Sequence, residues 1–134
     1  MFSFINLYSQ NGEVKTVKLF SSDAKLDERQ REKLREHIGK LTLDLKNSND
    51  KATIYASRAM AYLSLKEYTA AISDFSKLIE MDSEDSESYF LRGLCKQFSQ
   101  KSFMLTSCDD FRKAKQLGYQ KADWNTIGAD CPDK

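Results

Sequence analysis

The sequence predicts a mostly α-helical domain opened by a short β-hairpin and one long helix. Three observations point there. Five Gly and one Pro in 134 residues are too few for a turn-dense all-β fold. Leu34, Ile38, Leu41 and Leu45 fall at offsets of 4, 7 and 11 from the first, which is one stripe on a helix of 3.6 residues per turn. From residue 51 onward a pattern returns after 34 positions: Tyr55, Arg58 and Ala59 reappear as Tyr89, Arg92 and Gly93. A period of that size marks a repeated pair of helices.

Charge and length narrow the function classes. Lys plus Arg number 21 and Asp plus Glu 20, a net charge of +1 with the two signs interleaved, so no basic footprint for nucleic acid or an anionic membrane surface is expected. The uninterrupted apolar runs are far shorter than the ~20 residues that span a bilayer. Met1 is followed by Phe2, Phe4, Ile5 and Leu7, but Asn6 interrupts them and no basic residue precedes them, unlike a secretory signal. Cys95, Cys108 and Cys131 are odd in number, widely spaced and in no CxxC arrangement, which predicts reduced thiols and, if Met1 is the natural start, a cytoplasmic chain. A domain of this size removes roughly two-thirds of its extended-chain surface from water and needs no metal or disulfide to hold its core.

Taken in order, residues 1–23 read as a hairpin extension. Two segments rich in aromatic and β-branched residues, 2–9 and 14–20, flank Asn11-Gly12, a pair suited to a type I′ turn because both positions need positive φ. With those as the two turn residues, Phe4 lies opposite Leu19 and Asn6 opposite Val17. Residues 24–50 follow as a long helix, 24–46, capped by Ser22-Asp23 and broken by Asn47 to Asp50. Residues 51–134 hold the repeats.

Residues 52–85 resemble a tetratricopeptide repeat over their whole length. Counted from Ala52, Tyr55 stands at the large fourth position, Ala59 at the small eighth, Tyr62 at the aromatic eleventh, Ala71 at the small twentieth and Phe75 at the aromatic twenty-fourth. Small residues let helix backbones approach and large ones fill the gap beside them. Ser83 stands where the family usually has proline, so the polar run from Asp82 to Ser86 has to end the helix. A second unit starts at Ser86, with Lys96 in place of the aromatic. Asp74-Phe75 returns as Asp110-Phe111 after 36 residues, which puts two extra residues around Gln100 to Thr106. Gly118 is placed to end a helix in the left-handed conformation, and Ala122, Trp124 and Ile127 suggest a short capping helix. The resemblance covers about residues 52–128 and implies an α-α superhelix acting as a protein-interaction scaffold.

Little in the sequence points to catalysis. His37 is the only histidine, which restricts metal clusters and Ser-His-Asp arrangements. Cys95 and Cys108 fall at small core positions, and Cys131 lies in a polar tail with no predictable neighbour. The acidic run Asp82, Glu84, Asp85 and Glu87 lacks the glycine and ligand spacing of a calcium loop and reads as a solvated junction. No enzyme, cofactor or metal is expected. The informative constellation is the groove face that the resemblance assigns to first helices: Thr53, Ala56, Met60, Leu63 and Ser64, then Glu87, Phe90, Leu94, Gln97 and Phe98. Its apolar character implies a groove for a partner protein or peptide segment, or else one filled by the chain's own residues 1–46.

Overall fold

A computed structural model defines the fold and describes residues 5–8, 14–17, 26–99, 104–124 and 131. Helices dominate it. Near the start, strands β1 (Ile5–Tyr8) and β2 (Val14–Val17) pair antiparallel with Ile5 opposite Val17 and Asn6 opposite Thr16. The expected register placed Asn6 opposite Val17. The ladder differs by one because five residues, 9–13, separate its last pair, Tyr8 and Val14, where a two-residue turn had been expected. The predicted Asn11-Gly12 turn itself lies outside the described residues.

Helix α1 (Glu28–Asp44) begins four residues later than predicted. Asp27 supplies the reason. Its carboxylate accepts the Gln30 N–H at 2.7 Å while the Gln30 side chain accepts the Asp27 N–H at 3.0 Å, a reciprocal box that satisfies two donors a helix start leaves orphaned. The predicted Ser22-Asp23 cap lies outside the described residues.

Four further helices follow: α2 (Lys51–Ser64), α3 (Tyr68–Met81), α4 (Ser86–Ser99) and α5 (Met104–Gln116). Their ends follow from local chemistry. Asp50 caps α2 by accepting the Thr53 N–H, and hydrogen bonds from the Thr53 hydroxyl and then its N–H lower the Asp50 carboxyl from its ordinary value. Lys66, at φ 62°, turns the chain between α2 and α3. The polar run after Met81 ends α3 as expected, and Asp85 within it accepts the Ser88 N–H at the start of α4. Gly118 takes φ 83°, so that its N–H and that of Tyr119 reach the carbonyls of Lys115 and Ala114 and close α5.

Short connections fold each helix back on the last, and packing runs in sequence: α1 on α2, α2 on α3, α3 on α4, α4 on α5. The main core is built from Ala59, Leu63, Ala71, Phe75, Leu78, Phe90, Leu91, Leu94, Cys95, Phe111, Ala114 and Tyr119. A smaller cluster joins Ile38 and Leu34 of α1 to Ala61 and Leu65. The small positions do what their size suggests: Ala59, Ala71 and Ala114 are fully buried, and a Cβ on Gly93 would stand 2.7 Å from the Phe111 ring.

Candidate functional site

Two polar clasps, each centred on a buried aspartate, recur between successive helices. In the first, Arg58 of α2 donates from Nε and Nη2 to the two oxygens of Asp74 in α3, both at 2.7 Å, and from Nη1 to Thr42 Oγ1 of α1 at 3.0 Å. In the second, Arg92 of α4 donates to both oxygens of Asp110 in α5, at 2.9 and 2.6 Å, and to Ser76 Oγ of α3 at 3.1 Å. Each hydroxyl in turn donates to the carbonyl four residues back, Ile38 for Thr42 and Ile72 for Ser76. One arginine therefore ties three successive helices together. Its hydrogen bonds to aspartate raise each guanidinium further above its ordinary pKa. A bidentate pair of this kind satisfies charges that burial would otherwise make costly.

The aromatic partners explain a departure seen in the sequence. Arg58 lies over the rings of Tyr55 and Tyr62, 5.6 and 6.0 Å from their centroids, and Arg92 over Tyr89 at 5.5 Å. Where the second unit replaces Tyr62 by Lys96, the lysine instead reaches Asp110 at 2.8 Å. The ring's attraction for the arginine gives way to a second cation on the carboxylate. Sequence reading singled out Arg58, Arg92, Asp74 and Asp110 only as markers of the repeat. Their joint recurrence, arginines after 34 residues and aspartates after 36, was the signal that they pair.

The predicted groove residues separate into two sets. Leu63, Phe90 and Leu94 are core rather than groove lining, with Phe90 only 1% exposed. The physical reason is that the chain covers Phe90 itself: the Tyr119 ring stacks on it at 4.6 Å, the Trp124 ring meets it edge-on at 6.1 Å, and Phe111 flanks it at 5.7 Å. The covering residues come from the C-terminal side, whereas α1 packs on Ala61 and Leu65. Thr53, Ala56, Met60, Glu87, Gln97 and Phe98 remain partly or fully exposed. Phe98 keeps 46% of its surface in solvent and stacks on Tyr68 of α3 at 5.9 Å. Glu87 faces Lys121 at 3.6 Å across an open cleft lined also by Ser86, Gly118, Tyr119 and Gln120.

The cysteines correct another expectation. Cys108 and Cys131 form a disulfide with Cα atoms 5.4 Å apart, so only Cys95 is a free thiol among the described residues. Cys131 thus has a neighbour after all, and the argument from three reduced thiols to a reducing compartment falls. The linear sequence carried no signal for this bond, since 23 residues separate the pair. Cys95 is inert in place, its thiol pushed up to about 12 by burial. Among the described residues no group of three His, Cys, Asp or Glu side chains could hold a metal ion, and no helix is long and apolar enough to cross a membrane.

Compared with protein-family models, curated proteins and solved structures, the chain matches none.

Proposed function

We propose that the chain is a non-catalytic protein-interaction module, a tetratricopeptide-like array that follows an N-terminal hairpin and seats a partner segment against the exposed part of α2 and α4. The array reading is supported by the two clasps, in which Thr42, Arg58 and Asp74 play the parts of Ser76, Arg92 and Asp110. The binding reading rests on one observation: Phe98 stays about half in solvent, stacked on Tyr68, while Phe90 and Leu94 of the same helix are core. The Phe98–Tyr68 pair offers an apolar contact suited to an aliphatic or aromatic side chain of a peptide, and partly buried Met60 of α2 is the further apolar side chain assigned to this surface. The buried carboxylates Asp74 and Asp110 are engaged by arginine, which leaves them poorly suited to acid-base chemistry.

Phe98→Glu tests it. In affinity purification the variant should lose the partner that the parent chain retains, with its melting midpoint nearly unchanged because the ring is already half in water. Retention of the same partner by Phe98→Glu would remove this surface from consideration. A second reading, an accessory or regulatory subunit docking on a larger enzyme through its convex face or hairpin edge with the groove filled by its own N-terminal segment, is favoured by the exposure of Leu43 (63%) and Met81 (54%). Under that reading Leu43→Glu, and not Phe98→Glu, abolishes capture.

A further inference from the structure

The C-terminal segment is held on the array by two kinds of attachment. One is apolar: Tyr119 and Trp124 lie on Phe90, and Trp124 Nε1 donates to the Tyr119 carbonyl at 3.1 Å. The other is covalent, the Cys108–Cys131 bond, which returns the chain to α5 after Trp124. Helix α5 has separate anchors in the Arg92 and Lys96 contacts to Asp110 and in buried Phe111 and Ala114. The helix thus keeps anchors that the disulfide does not supply, whereas the disulfide is the cross-link that ties the chain beyond Trp124 back to α5. The two sulfurs also differ in access: Cys108 is 3% exposed, whereas Cys131 is half-buried.

We propose that Cys108–Cys131 is a redox latch: its reduction by a dithiol releases the Tyr119–Trp124 cover and uncovers the aromatic face of α4 and α5 centred on Phe90. One reductant thiolate attacks the more accessible Cys131 Sγ, the Sγ–Sγ bond breaks, and its electron pair leaves on Cys108 Sγ, which takes a proton. The second reductant thiolate attacks the mixed disulfide and releases Cys131, which is also protonated. The reductant ends as its own disulfide, two electrons having passed to the protein. The latch stands on this packing alone and does not depend on the partner surface at Phe98.

Trp124 is the only tryptophan in the chain and reports the cover directly. The full-length chain, purified without reductant, is titrated with dithiothreitol while thiols are counted after denaturation. Tryptophan emission, acrylamide quenching, binding of a hydrophobic dye and far-ultraviolet circular dichroism are followed in parallel. The latch predicts that the count rises from one thiol to three, emission shifts to the red, quenching and dye binding rise several-fold, and helicity is largely kept. Reoxidation reverses all of these. Cys131→Ser should behave as the reduced chain from the outset and ignore dithiothreitol. Three thiols before reduction, an unchanged tryptophan signal after it, collapse of helicity on reduction, or a Cys131→Ser chain with the spectrum of the oxidised parent would each overturn the proposal.

Discussion

Gly93 shows how much one methyl group can weigh in this fold. Its missing Cβ lets the Phe111 ring and the Ser107 carbonyl close on α4, where an added carbon would meet them at 2.7 and 3.2 Å. Gly93→Ala should therefore lower stability by about 1 to 3 kcal/mol despite the better helix propensity of alanine, as overpacking of a filled core does. Urea unfolding followed by circular dichroism checks this, and an unchanged midpoint would mean that Phe111 can step aside. Cys95 makes a second claim at the same scale. An unfolded thiol ionises near 8.5, whereas burial pushes the folded one up to about 12. Its contribution to stability is whole below the unfolded value. As pH rises through the window, the unfolded chain releases a proton that the folded chain keeps, and stability falls by up to about 1.4 kcal/mol per pH unit. Tyr119, whose hydroxyl is raised by burial and by the Glu87 carboxylate, adds a loss of the same sign at still higher pH. In Cys95→Ala the early part of that alkaline decline should disappear, as urea midpoints at about pH 8 and about pH 11 would show.

Between helices, the clasps decide what a charge substitution does. Asp110 faces Arg92 and Lys96, whereas the Asp74 carboxylate pairs with Arg58. Removing either carboxylate leaves a partly buried guanidinium without its partner, a cost of about 1 to 3 kcal/mol. Asp110→Asn, which strands two cations, should be the more destabilising, and thermal melts of the two variants side by side give the order. The opposite ranking would mean that Lys96 swings into water at little cost. The surface pair Lys77–Glu80 should contribute almost nothing by comparison. These contacts also mark how far the sequence could be read. The polar stop after Met81 and the left-handed Gly118 were legible because each depends on neighbours within a turn or two. The groove was not. Phe90 occupies a groove-facing register position, yet what covers it comes from Tyr119 and Trp124, about thirty residues away. No local pattern at Phe90 signals that. The disulfide was hidden for the same reason.

Over the whole molecule, α1 packs on α2 as α3 packs on α4, and one polar contact recurs between them. Thr42 and Ser76, 34 residues apart, each accept from the arginine of the following helix, Arg58 of α2 and Arg92 of α4, and each donates to the carbonyl four residues back. Where Ala71, Asp74 and Leu78 of α3 are buried, the matching places of α1 carry His37, Lys40 and Asp44, all exposed, which suits the solvent-facing end of an array. Of the large apolar side chains exposed among the described residues, Leu43 lies on α1, Met81 on α3 and Phe98 on α4. Hydrogen exchange of the chain with its purified partner, compared with the chain alone, tests that arrangement most directly. If the partner sits against α2 and α4, amides around Met60 and around Phe98 should gain protection while those around Leu43 and Met81 stay as they were. Protection centred on Leu43 or Met81, with Met60 and Phe98 unchanged, would contradict it.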